Sequence, residues 1–158
     1  MKKLSYILFI TIFTLFGCHS ATNLGSEKVL LLKNDILKGD TNSYEKLSSY
    51  YFDNSLDSLL PYSKIMADKF DYTRAYYDVF EIIYVYSGEG ECVDYNLSCL
   101  DYESKKDALN YFKKAIKKGD ESASGVLLNF YDKDKSYPIK ELYENIELIK
   151  IAKSNLGL

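Results

Sequence analysis

Two hydrophobic patterns divide this chain. Leu4 to Phe16 is a nearly unbroken apolar run, interrupted only by Ser5, Thr11 and Thr14. From Glu27 onward apolar residues instead recur every three or four positions, the spacing of helices that bury one face. Strong breakers are rare there, with only Pro61 and Pro138. The pattern predicts an all-α domain over 27–158, with helices near 27–38, 43–53, 56–69, 72–86, 104–118, 121–131 and 138–154.

Within that domain the chain repeats itself. Residues 35–51 align with 115–131 at a constant offset of 80, and Ile36, Lys38, Gly39, Asp40, Leu47 and Tyr51 find identical partners in Ile116, Lys118, Gly119, Asp120, Leu127 and Tyr131. The shared pattern reads as a helix, a glycine stop and a second helix folded back on the first. Gly119 suits the left-handed residue that ends a helix, Lys117 and Lys118 suit the negative end of that helix, and Asp120 offers an N-cap to the next. Ala108, Phe112 and Ala115 form one face of the first helix; Ala123, Leu127 and Tyr131 form one face of the second.

The spacing of Ala108, Phe112, Ala115, Gly119, Ala123, Leu127 and Tyr131 resembles the Sel-one-like repeat, a relative of the tetratricopeptide repeat. Leu128 departs from the Gly common there. The N-terminal copy keeps Leu32, Gly39, Leu47 and Tyr51 but puts Lys28, Asp35 and Ser43 at the small positions. The middle pair, around Met66 to Tyr86, fits in length and polarity only. The resemblance implies a short α-solenoid of antiparallel helix pairs, with the segment after Pro138 as the capping helix that such stacks need.

The N-terminal run changes the picture of where the domain works. Lys2 and Lys3 precede 13 residues that would span about 20 Å as a helix, against the roughly 30 Å core of a bilayer. That is an export signal and too short for a span. Its end, Leu15-Phe16-Gly17-Cys18, resembles the lipobox of bacterial lipoproteins, although Phe16 is larger than usual there. The resemblance implies cleavage after residue 17 and lipidation of Cys18, with 18–26 as lipidated cysteine and tether. His19 in second place, not Asp, implies the outer membrane, facing the periplasm. An ordinary secretory signal or an uncut anchor are the competing readings.

Removing residues 1–17 leaves 18 basic against 23 acidic residues, a net charge of −5. Such a balance argues against nucleic acid as a partner. Cys92 and Cys99 remain, and in an exported chain such a pair reads as a disulfide closing a small loop worth roughly 2–3 kcal/mol. Free thiols or half a metal site are the alternatives. The lone histidine, His19, lies in the tether, so a metal would need carboxylates and none is expected.

The same stretch, 87–103, carries Glu89, Glu91, Asp94, Asp101 and Glu103 without Lys or Arg, interleaved with Tyr95, Leu97, Leu100 and Tyr102. It reads either as a stapled solvated connection or as an acidic, tyrosine-bearing lip facing a basic partner. Within the tyrosine-rich stretch 72–86, the pattern assigns Tyr76, Phe80 and Ile83 to the core, and Tyr77 and Tyr84 to a binding face. Asp132-Lys-Asp-Lys-Ser136 fails as a calcium loop, because Tyr137 replaces the required Gly and Tyr143 the bidentate Glu.

No nucleophile beside a base, no glycine-rich phosphate loop and no metal pair is evident, and no particular pair of carboxylates stands out, so the expectation is a protein-binding module without cofactor, not an enzyme. Small lipoproteins of this kind resemble immunity proteins encoded beside antibacterial effectors of type VI secretion. A membrane-anchored scaffold of that kind, neutralising an effector by direct binding, is the leading expectation. An envelope assembly lipoprotein docking secretion or cell-wall machinery is the alternative.

Overall fold

A computed structural model describes residues 24–87, 95–133, 142 and 144–158. Among these residues the chain is all-helical, without a strand, and the helices pack in pairs. Helices α1 (Ser26–Ile36) and α2 (Thr41–Asn54) form the first pair; a 3-10 turn, Leu56–Leu59, leads into α3 (Leu60–Asp68), which pairs with α4 (Thr73–Ser87). After a further 3-10 turn at Leu97–Cys99 come α5 (Tyr102–Lys117), α6 (Glu121–Lys133) and α7 (Ile146–Asn155). Each helix packs on its neighbours in the chain, and α7 lies on both α5 and α6.

The helix ends follow from local chemistry. In the first pair Gly39 has φ +92°, its N–H donates to the Ile36 carbonyl at 2.9 Å, and the Asp40 N–H donates to the Asp35 carbonyl at 3.2 Å. In the third pair Gly119 has φ +91°, with the matching bonds to Ile116 at 3.0 Å and Ala115 at 3.0 Å. Both are Schellman turns, in which a left-handed residue lets the chain reverse while the last carbonyls stay satisfied. The aspartate that follows then caps the next helix: Asp40 accepts the Ser43 N–H at 2.5 Å, and Asp120 accepts the Ala123 N–H at 2.8 Å.

The middle pair has no glycine at its turn. Asp71 takes the left-handed place at φ 56°, which Asp tolerates better than most L-residues, and the Tyr72 N–H donates to the Met66 carbonyl at 2.9 Å. α5 begins at Tyr102, two residues ahead of expectation, because Asp101 accepts the N–H groups of Glu103 and Ser104 at 2.9 and 3.0 Å.

The expected helix over 138–154 is corrected in extent. Asn145 accepts the Leu148 N–H at 3.0 Å and starts a separate helix at Ile146; Pro138 lies outside the described residues.

The core runs without interruption through all pairs. Ile36, Leu47, Phe80, Phe112, Ile116 and Leu127 are fully buried, as are Ala108, Ala115 and Ala123 at the small positions. Tyr76 and Ile83 are buried as expected; Tyr131's side chain lies outside the described residues.

Successive turns touch one another along one edge of the molecule. Lys69 at the second turn donates to the Leu37 carbonyl at the first, at 3.5 Å, while the Phe70 ring covers Gly39. Lys118 at the third turn binds the Asp71 carboxylate at the second. Asn155, at the end of α7, donates to the Ile116 carbonyl above the third turn at 2.8 Å. The opposite ends of the helices therefore share the opposite edge.

Candidate interaction site

The described residues among those expected to bind a partner fall into three groups. Tyr77 is a correction: it is 4% exposed and belongs to the core, its ring against Phe80 and Phe112 and its hydroxyl 3.4 Å from that of Tyr95. Periodicity placed it outward because α4 buries more than one stripe, being packed between α3 and α5. Tyr84 and Tyr95 are half-buried and stacked at 5.0 Å between centroids, and the Tyr95 N–H donates to the Tyr84 hydroxyl at 2.8 Å. They fasten the end of the 87–103 connection onto α4.

Asp101 is exposed but serves as the α5 cap, and its hydrogen bonds, first that to Ser104, hold its carboxyl below the ordinary range. Tyr102 is 76% exposed. Glu89, Glu91, Asp94, Cys92 and Cys18 lie outside the described residues. Cys99 is disulfide-bonded, and its partner is also outside them.

A lysine-bearing groove on α5 went unnoticed in the sequence. Tyr102, Lys105, Lys106, Leu109, Asn110 and Lys113 line an open depression of about 550 Å³. Their spacing of three and four residues sets them on one helix face, so the pattern was present but masked by the high lysine content of the whole helix. Lys114, on another face of α5, lies 3.9 Å from Asp68, and Lys118, just past the end of the helix, is bound to Asp71. Lys106 pairs loosely with Glu103 at 3.7 Å, a fully solvated contact. The groove thus offers amines, an aromatic ring and one aliphatic side chain to a partner, and its chemistry favours carboxylates.

A buried polar network occupies the seam between the first two pairs. The Tyr44 hydroxyl donates to Asp78 Oδ2 at 2.7 Å and lies 2.8 Å from Ser63 Oγ; Arg74 Nε donates to Asp78 Oδ1 at 2.8 Å. Burial raises the Asp78 carboxyl above its ordinary value, against the pull of Arg74 and Tyr44. Burial likewise raises Glu81 and Asp120 and pushes Tyr44 up.

The adjoining cleft, which includes Ser48, Phe52, Arg74 and Glu81, holds about 20 Å³, enough for one water and too little for a substrate. Every polar atom of Asp78 and Tyr44 already has a partner, so the network locks α2, α3 and α4 together. Among the described residues no group of three His, Cys, Asp or Glu side chains could hold a metal ion, and no helix is long and apolar enough to cross a membrane.

No family model, curated protein or solved structure matches this chain.

Proposed function

We propose that this chain is a membrane-anchored, protein-binding scaffold of the bacterial envelope, lipidated at Cys18, and that it acts as an immunity protein that neutralises a secreted antibacterial effector by binding it. The reading includes a short α-solenoid of the tetratricopeptide or Sel-one-like kind, with α7 as its capping helix. The observation that carries it is the contact between successive turns, from Leu37 through Lys69, Asp71 and Lys118 to Ile116 and Asn155. Elements that touch only their neighbours stack along one axis and leave long faces free for another protein.

Burial supports the same reading. Ala108 and Ala115, in the third pair, are fully buried against α4, whereas their counterparts Lys28 and Asp35 in α1 have no preceding pair to face and reach solvent. The absence of a cavity suited to a small substrate in the polar seam, together with the α5 groove, favours recognition over catalysis. In this proposal the lysines of that groove meet an acidic segment of the effector.

The test is a rescue assay. The product of the neighbouring reading frame is directed to the periplasm, with and without this chain. Restored growth with the chain, lost when Lys106 and Lys113 are both changed to Glu, is the expected result. Absence of toxicity, or toxicity that the chain never relieves, refutes the immunity reading. Recovery of cell-wall or secretion components as its bound partners would support the envelope-assembly alternative.

A further inference from the structure

We infer that the edge of the domain opposite the interhelical turns rests on the lipid surface, and that Phe52, Val85, Tyr86, Tyr102 and Ile146 make the contact. The inference rests on the anchoring part of the reading above and adds an orientation to it.

Because the turns after α1, α3 and α5 share one edge and the paired helices are antiparallel, the first residues of α1, α3, α5 and α7 and the last residues of α2 and α4 share the other. Phe52 and Tyr86 lie within two residues of the ends of α2 and α4, and Tyr102 and Ile146 are the first residues of α5 and α7. Their exposures are 70% for Phe52, 46% for Val85 and Tyr86, 76% for Tyr102 and 69% for Ile146. Every strongly exposed aromatic side chain among the described residues is in this group. The other exposed large apolar side chains are all leucines: Leu30 and Leu31 midway along α1, and Leu37, Leu156 and Leu158 at the turn edge. What sets the first edge apart is its aromatic content, and a gathering of exposed aromatic and β-branched groups marks a contact surface.

The attachment point selects lipid as the occupant. α1 starts at Ser26, on this same edge, and seven residues separate Ser26 from Cys18. Fully extended, the eight steps from Cys18 to Ser26 reach no more than about 29 Å, so a lipid on Cys18 keeps this edge, where the tether joins, the nearer one to the bilayer. Tyrosines favour the headgroup level, while phenylalanine and isoleucine gain from the acyl boundary beneath it.

Asp57, Asp101 and Glu103 stand exposed near the same ends, so the attraction is apolar and suits zwitterionic lipid. The turn edge, about 24 Å away along the 16-residue α5, then faces the aqueous compartment.

The chain contains no tryptophan, which makes the test direct. Full-length, lipid-processed chains carrying Phe52→Trp, Tyr86→Trp or Ile146→Trp singly are reconstituted in phosphatidylethanolamine and phosphatidylcholine vesicles, half of them with brominated acyl chains. Leu37→Trp, at the turn edge, is the comparison. Emission from the three edge tryptophans should fall about twofold or more in brominated vesicles and shift to the blue, while Leu37→Trp stays unchanged.

Flotation of the same vesicles separates the two claims. Chains that float, and are released by Cys18→Ala, but show no quenching at the edge would overturn the orientation and leave anchoring intact; that is also the outcome if the edge serves a protein. Equal quenching at both edges overturns it too. Chains that never float refute anchoring and the orientation with it.

Discussion

A Cβ placed on Gly39 would stand 2.7 Å from Cδ1 of Phe70, whereas one placed on Gly119 would meet nothing within 4 Å. The two glycines have the same φ and the same hydrogen bonds, yet one is covered by the following turn and the other is open. Gly119→Ala should therefore cost only the strain of an L-residue in the left-handed region, roughly 1–3 kcal/mol. Gly39→Ala should cost more, because the Phe70 ring must also move. Thermal melts of both variants, and of Gly39→Ala combined with Phe70→Ala, check this; equal losses at the two glycines would mean that Phe70 does not pack as described.

Tyr44→Phe should lower stability by roughly 1–3 kcal/mol, since it leaves Asp78 Oδ2 buried without the donor now 2.7 Å away. Denaturant unfolding gives the number. A loss below a few tenths of a kcal/mol would show that water replaces the hydroxyl at no cost.

Two sets of carboxylates should give stability an optimum in pH. Asp78, Glu81 and Asp120 are raised by burial, so their contribution is complete below the ordinary carboxylate range and is lost as pH rises through the raised values. Asp40, Asp71 and Asp101 are lowered, by hydrogen bonds from Ser43, Lys118 and Ser104 respectively, so theirs is present above the ordinary 3.8 and lost as pH falls through the lowered values. Melting temperature should peak in weak acid, near the ordinary values of 3.8 for Asp and 4.5 for Glu, with Asp78→Asn flattening the alkaline flank. A steady rise of melting temperature from there to neutral pH in the unaltered chain contradicts the burial of the first set.

Changing Lys106 and Lys113 to Glu should weaken capture of an acidic partner at least about tenfold while leaving the melting temperature within a few degrees, because Lys106 is exposed and Lys113 half-buried. Binding measured by calorimetry beside a melt separates the two. Unchanged affinity moves the interface off α5.

Cys18→Ala should move the chain from the membrane to the soluble fraction without unfolding it. With residues 1–17 replaced by a cleavable secretory signal, fractionation followed by circular dichroism tests both halves, and persistent membrane attachment rules out a lipid on that residue as the anchor.

The sequence by itself determined the helical class, the ends of the first and third helix pairs at their glycine turns and the paired design, because those depend on local chemistry. A 3.6-residue period buries a stripe, Gly39 and Gly119 end helices, and Asp40 and Asp120 begin them. Repetition at a fixed offset made even the packing of Ala108, Phe112 and Ala115 legible.

What only tertiary structure decided depends on which neighbour covers each face. Tyr77 and Tyr84 sit seven residues apart on α4, two helical turns on nearly the same face, and α3 and α5 bury the first while Tyr95 covers the second. The break near 70–71 was legible, but not that Asp71 would take the left-handed conformation usually signalled by glycine. Lys118 read as a helix-dipole partner, and only the approach of the second turn made it a bridge to Asp71. Burial and pairing across a stack are set by the distance between segments far apart in the chain, and no local periodicity encodes that distance.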